Sequence, residues 1–107
     1  MSDHIRQLQL AQHNLQHIQE RRQFLQTEIV ELNSALNELE TTDKAYRIVG
    51  KLMIATPTDK AKKNVSEQKE KSELRLKNFK IQEQKLQEQI EELQKQAVAV
   101  AQEKNEQ

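Results

Sequence analysis

Cysteine is absent from these 107 residues, and so is tryptophan; glycine, proline and tyrosine occur once each, beside two phenylalanines. Without cysteine there can be no disulfide framework, thiolate nucleophile or cysteine-based zinc site. Only 3% of the chain is aromatic and 35% hydrophobic, which leaves little to fill a globular core. Disorder is disfavoured as well, because disordered chains draw heavily on proline and glycine. No apolar run approaches the roughly 20 residues that cross a bilayer. The N-terminus lacks the apolar core and small-residue cleavage site of a signal peptide, so a soluble, cytoplasmic protein is expected. A glycine-rich phosphate loop is missing too, as is any Ser/His/Asp set that two helices could bring together. The expectation is a protein that is not an enzyme, with no cofactor and no bound metal.

What is plentiful is charge, at 32%, and glutamine, at sixteen positions. That composition suits long amphipathic helices that bury narrow seams. The net charge is zero but unevenly spread. Residues 1–43 carry three arginines against seven acids, residues 44–80 eleven basic groups against four acids, and residues 81–107 three lysines against six acids. A basic middle between acidic flanks becomes a spatial dipole if the flanks fold back beside each other.

In the N-terminal flank a heptad runs through Leu8, Ala11, Leu15, Ile18, Arg22, Leu25, Ile29, Leu32, Leu36 and Leu39, broken only by Arg22. Such a run is a coiled-coil signal, and a lone polar seam residue fixes register or extends its head group to water. The helix is expected to end around Glu40 to Asp43, where Thr41, Thr42 and Asp43 compete for backbone hydrogen bonds. His13, His17 and Glu20 can share a helix face, but Asn14 stands where a zinc protease needs glutamate, and solvated histidines are expected. A second heptad follows from Val65 through Lys69, Ser72, Leu76, Phe79, Glu83, Leu86, Ile90, Leu93 and Ala97 to Val100. In an antiparallel pairing Leu39 faces the region of Val65, and Leu8 that of Gln96 to Val100.

Between the flanks lies Ala45-Tyr46-Arg47-Ile48-Val49-Gly50-Lys51-Leu52-Met53-Ile54-Ala55-Thr56. Its β-branched and aromatic residues flank Gly50-Lys51, which suits a two-residue type II′ turn with positive φ at the glycine. The implied register sets Val49 opposite Leu52, Ile48 opposite Met53, Arg47 opposite Ile54 and Tyr46 opposite Ala55. Each face then carries at least three apolar side chains. A lone hairpin of this kind is marginal in water, so hairpins from several subunits are expected to join edge to edge in a closed sheet or barrel. A helix should follow, with Pro57 in its first turn and Thr56 or Thr58 as cap.

Two further stretches draw notice. The basic run from Lys60 to Lys80, interleaved with Glu67, Glu70 and Glu73, lacks the recognition element or stacking aromatics of a nucleic-acid site and reads as a solvated surface with intrahelical ion pairs. Ala97-Val98-Ala99-Val100-Ala101 is apolar all round, and the register sets it against Met1, Ile5, Leu8 and Leu10. Exposed apolar groups at such an end suit the capture of unfolded chains, which offer generic apolar surface.

The order helix, hairpin, helix, with Tyr46 to Gly50 opening the insert and Leu52-Met53-Ile54 leading through Thr56 to Asp59-Lys60-Ala61, resembles the prefoldin family, and its β-type subunits in particular. The similarity covers nearly the whole chain. An α-type subunit would carry a second hairpin, for which there is no room between Thr56 and Val65; Pro57 departs from the commoner pattern. The resemblance implies a mainly α fold of two long antiparallel coiled-coil helices (1–43 and 58–107) closed by one β-hairpin (44–57). It also implies an ATP-independent chaperone, a hetero-hexamer of two α-type and four β-type subunits whose hairpins build a β-barrel body. The coiled-coil ends would hold unfolded proteins and pass them to a group II chaperonin. Tyr46, Ile48, Val49, Gly50, Leu52, Met53 and Ile54 would then be assembly residues, and Ile5, Leu8, Leu10, Val98 and Val100 client contacts. No nucleic acid or membrane partner is implied. The competing expectation is a coiled-coil adaptor that binds one folded partner.

Overall fold

The computed structural model describes residues 3–106, with side chains from 3 to 103. Met1 and the outermost positions of a domain over 1–107 therefore lie outside the described residues. In chain order the elements are α1 (Asp3–Thr41), β1 (Ala45–Val49), β2 (Leu52–Thr56) and α2 (Thr58–Glu106). This is the mainly α class expected, two long helices with one short antiparallel hairpin. The described residues fall into two compact units, one from Met1–Gln23 and Lys77–Gln107, the other from Phe24–Leu76.

In the first unit the seam follows the heptads. Ala11, Ile90 and Leu93 are buried and form a cluster, with Leu8 and Leu15 packed against it. Ile18, Arg22, Phe79, Glu83, Leu86, Ala97 and Val100 are half-buried, whereas the positions between them are mostly exposed. The helix segments run antiparallel, since Gln19 and Arg22 reach Glu83 while Ala11, earlier in α1, packs on Ile90 and Leu93, later in α2. A 3.5-residue repeat keeps one apolar stripe turned to a partner helix, and nothing is left over to form a second layer.

The second unit continues the same rule with Leu25 and Ser72 buried, and Ile29, Leu32, Leu36, Leu39, Val65, Lys69 and Leu76 half-buried. Among the described residues no side chain is less than 2% exposed, as a seam one layer deep requires. α1 stops where threonine hydroxyls take over its backbone bonds: Thr41 donates to the Glu38 carbonyl at 3.1 Å. Thr42 Oγ1 donates to the Lys44 carbonyl at 3.1 Å and accepts from the Lys44 amide at 3.3 Å. At the start of α2 neither threonine takes the expected capping place. Pro57 occupies it, its carbonyl accepting the first helical bond from Ala61 at 3.0 Å. Thr56 instead turns its hydroxyl to the Ile54 carbonyl at 3.2 Å. Asp59 in the first turn complements the helix dipole.

The hairpin has the register the turn dictates: Ala45 pairs with Thr56, Tyr46 with Ala55, Arg47 with Ile54, Ile48 with Met53 and Val49 with Leu52. Gly50 has φ of 61°, and no described non-glycine residue has positive φ. Positive φ at the first turn residue alone is the type II′ pattern, because type I′ would need it at Lys51 as well.

Candidate functional site

Cross-strand partners lie on the same face of a sheet, so the register sorts the hairpin side chains into two sets. One face carries Tyr46, Ile48, Met53 and Ala55; the other carries Val49, Leu52 and Ile54 beside Arg47. All are exposed: Ile48 is 72% accessible, Met53 68% and Leu52 67%. The sheet has two strands, so both of its edges are open as well. Large apolar groups on both faces of an open-edged hairpin are the arrangement that further strands or a packed surface would satisfy. The chemistry available here is association.

The second candidate surface lies in the unit built from Met1–Gln23 and Lys77–Gln107. Ile5, Leu10 and Val98 are exposed, at 41%, 62% and 56%. Leu8 and Val100 are half-buried on the seam, and Leu8 packs against the Ala11, Ile90 and Leu93 cluster. The five residues thus divide into three open to solvent and two that chiefly serve the coil.

The polar residues fall into place around these surfaces. Arg22 Nε lies 2.6 Å from Glu83 Oε2, and Gln19 Nε2 donates to Glu83 Oε1 at 3.3 Å. Arg22 and Glu83 are the charged departures from their respective heptads in this unit, and they meet each other. Their opposite charge and their facing positions were both present in the sequence, but the pairing shows only when the two stripes are set side by side. In the other unit Lys62 Nζ lies 3.7 Å from Glu40 Oε1, and Lys69 Nζ 3.9 Å from Glu73 Oε1 one turn along α2. The basic run is a helix surface with ion pairs of this exposed kind, each worth at most about 1 kcal/mol. His13 and His17 are exposed on α1. Phe24, Val30 and Leu74 are also exposed, off the seam, and the heptad gave no reason to single them out. No helix among the described residues is long and apolar enough to cross a membrane.

A family model described as prefoldin subunit matches residues 2–104. A prefoldin subunit beta of Thermococcus kodakarensis is 39% identical over 90 residues, covering 81% of this chain and 77% of that protein. One of Sulfolobus acidocaldarius is 34% identical over 91 residues, covering 82% of this chain and 73% of its own length. Among solved structures, the crystal structure of the prefoldin beta subunit from Thermococcus strain KS-1 superposes with a TM-score of 0.83 at 35% identity. That match spans 91% of this chain and 88% of the other.

Proposed function

Since the chain belongs to the prefoldin family, whose subunits are non-enzymatic chaperone components that assemble with one another, we propose that it is an ATP-independent holdase subunit of a hetero-hexamer, working in the cytoplasm. In this reading Tyr46, Ile48, Val49, Gly50, Leu52, Met53 and Ile54 join the hairpins of two α-type and four β-type subunits into a β-barrel body. Ile5, Leu8, Leu10, Val98 and Val100 contact unfolded clients, which are then handed to a group II chaperonin. The observation that carries the proposal is the hairpin itself, whose apolar side chains are exposed on both faces beside two open edges. Such a surface is costly to leave in water and is resolved by neighbours of the same kind.

Client capture is supported by Ile5, Leu10 and Val98, apolar groups held off the seam where a partner without fixed structure can meet them. The test is suppression of aggregation of unrelated denatured proteins by the assembled subunit, without ATP. Removal of residues 1–10 and 97–107 is expected to abolish that suppression while leaving assembly in place. Unchanged suppression after trimming would overturn the client assignment. A single stoichiometric folded partner with no suppression would replace the holdase reading by that of a coiled-coil adaptor.

A further inference from the structure

In the unit built from Met1–Gln23 and Lys77–Gln107, an open groove of about 400 Å³ lies between the helices, lined by Asn14, His17 and Ile18 of α1 and by Gln82, Lys85 and Leu86 of α2. Its two walls use the same heptad positions. Ile18 and Leu86 are seam residues; Asn14 and Gln82 stand four positions before them, His17 and Lys85 one position before. Each kind of group is therefore doubled: the half-buried aliphatic residues form the base, and an amide and a basic side chain stand exposed on either rim. No acid is among the lining residues. Glu83, in the same seam, is taken up by Arg22 and Gln19. The groove is thus apolar below and basic above, although residues 81–107 as a whole carry three lysines against six acids.

An aliphatic side chain can settle on Ile18 and Leu86, and a carboxylate next to it would meet Lys85 and His17, where a lysine would meet like charge. Asn14 and Gln82 each offer both donors and an acceptor, which suits the unpaired main chain of a segment without secondary structure. Leu10, 62% exposed, stands seven residues before His17 and so on the same face of α1, which extends the apolar contact beyond the groove.

Resting on the holdase reading, we infer that this groove selects among unfolded clients, taking segments in which an aliphatic residue neighbours a carboxylate. Lys85 supplies a constant charge, and His17 adds to it as pH falls, because histidine is the side chain that gains charge between pH 8 and 5. Around His17 stand His13, Glu20 and Arg21, each one turn away on α1, and Lys85 on the opposite wall. The exposed apolar residues of the arm hold clients of any charge, whereas the groove discriminates.

Three labelled unstructured peptides test this on the full chain, each repeating leucine, one variable residue, serine and glycine, the variable residue being glutamate, glutamine or lysine. The glutamate peptide should bind about tenfold more tightly than the lysine peptide at low salt, with glutamine between them, and the gap should close as salt rises. The preference should grow about threefold from pH 8 to pH 6; His17→Gln should remove that growth and His13→Gln should keep it. His17→Gln with Lys85→Gln should bring the peptides within about twofold of one another. Asn14→Glu with Lys85→Gln turns the rim acidic and should favour the lysine peptide. Equal binding of the three peptides by the unaltered chain overturns the inference. An order that survives both double replacements overturns it too, and would place acid recognition in the basic run from Lys60 to Lys80. Self-association that both double replacements abolish, with no peptide bound, would put a second copy of the chain in the groove instead. A pH response unchanged by His17→Gln overturns the role of that residue. Aggregation suppression is read separately: suppression without peptide discrimination sinks the inference alone, and discrimination without suppression sinks the holdase reading alone.

Discussion

Leucine and isoleucine meet opposite fates in two regions of this chain. In the coil, Ile90 and Leu93 are 9% and 6% exposed; in the hairpin, Ile48 and Leu52 are 72% and 67% exposed. The difference is one of periodicity rather than of residue type. A stripe repeating every 3.5 residues on α1 finds its complement on α2, so the seam is satisfied within one chain. Strands alternate with a period of two, and here both alternating sets are apolar. One set can rest on a neighbouring surface, but the other then faces water unless more strands arrive. The coil therefore stores stability for the single chain, while the hairpin leaves its apolar side chains exposed.

The sharpest way to break that division is to charge the hairpin. Ile48→Asp with Leu52→Asp places one carboxylate on each face and should weaken assembly with other prefoldin subunits by more than about a hundredfold, read by native mass spectrometry, because a carboxylate covered in the proposed assembly would lack a partner. The isolated chain should keep its helical circular dichroism and its thermal midpoint. A large fall in that midpoint would mean that the hairpin also holds the monomer together.

Next in size is the reciprocal change in the seam. Leu93→Ala should cost about 2–4 kcal/mol in urea unfolding, from lost burial and the cavity left behind. Leu10→Ala, at a site already 62% exposed, should stay within about 0.5 kcal/mol. Comparable losses at the two positions would show that the seam carries no special share of the stability.

Much of this architecture was legible in advance because it rests on short-range rules. The ten α1 seam positions follow from spacing alone, and each is buried or half-buried. The hairpin register follows from one glycine, since a two-residue turn leaves a single way to align the strands. Two features escaped for physical reasons. Propensity points to threonine as the cap of α2, but Thr56 is committed to Ile54 and the capping place passes to Pro57. Arg22 stands alone as a polar residue in its own heptad, fixing register or reaching for water, and its partner, Glu83, is distant in sequence and appears only once both stripes are aligned. Of the surfaces, exposure of Ile5, Leu10 and Val98 could be foreseen from their off-seam positions. The groove at His17 and Lys85 could not, because it exists only where α1 and α2 come together.

The Arg22–Glu83 pair offers a finer probe of what the seam tolerates. Side chains 23% and 14% exposed are neither free in water nor fully desolvated. Arg22→Ala leaves Glu83 and Gln19 without the cation and should cost about 1–2 kcal/mol, less than the loss for a fully buried pair. Replacing both, Arg22→Leu with Glu83→Leu, should restore urea stability to the original or above it, because two apolar seam residues need no compensation. If the double replacement is less stable than Arg22→Ala, the pair contributes stability in its own right.

The smallest effect isolates the turn from everything around it. Gly50 has nothing within 4 Å of where a side chain would begin, so a methyl group there meets no neighbour, and any penalty comes from its φ of 61°. Gly50→Ala should destabilise the hairpin by about 1 kcal/mol, seen as roughly fivefold faster hydrogen exchange at the β1–β2 amides. Urea unfolding of the coil should not change, since a turn residue shares no contact with the seam. Gly50→Asn with Lys51→Gly supplies the type I′ turn that also matches strand twist, and should return exchange to its original rate. Recovery would place the whole defect in backbone conformation. Failure to recover would mean that Gly50 matters for a surface approaching from another subunit, which would tie even the turn to assembly.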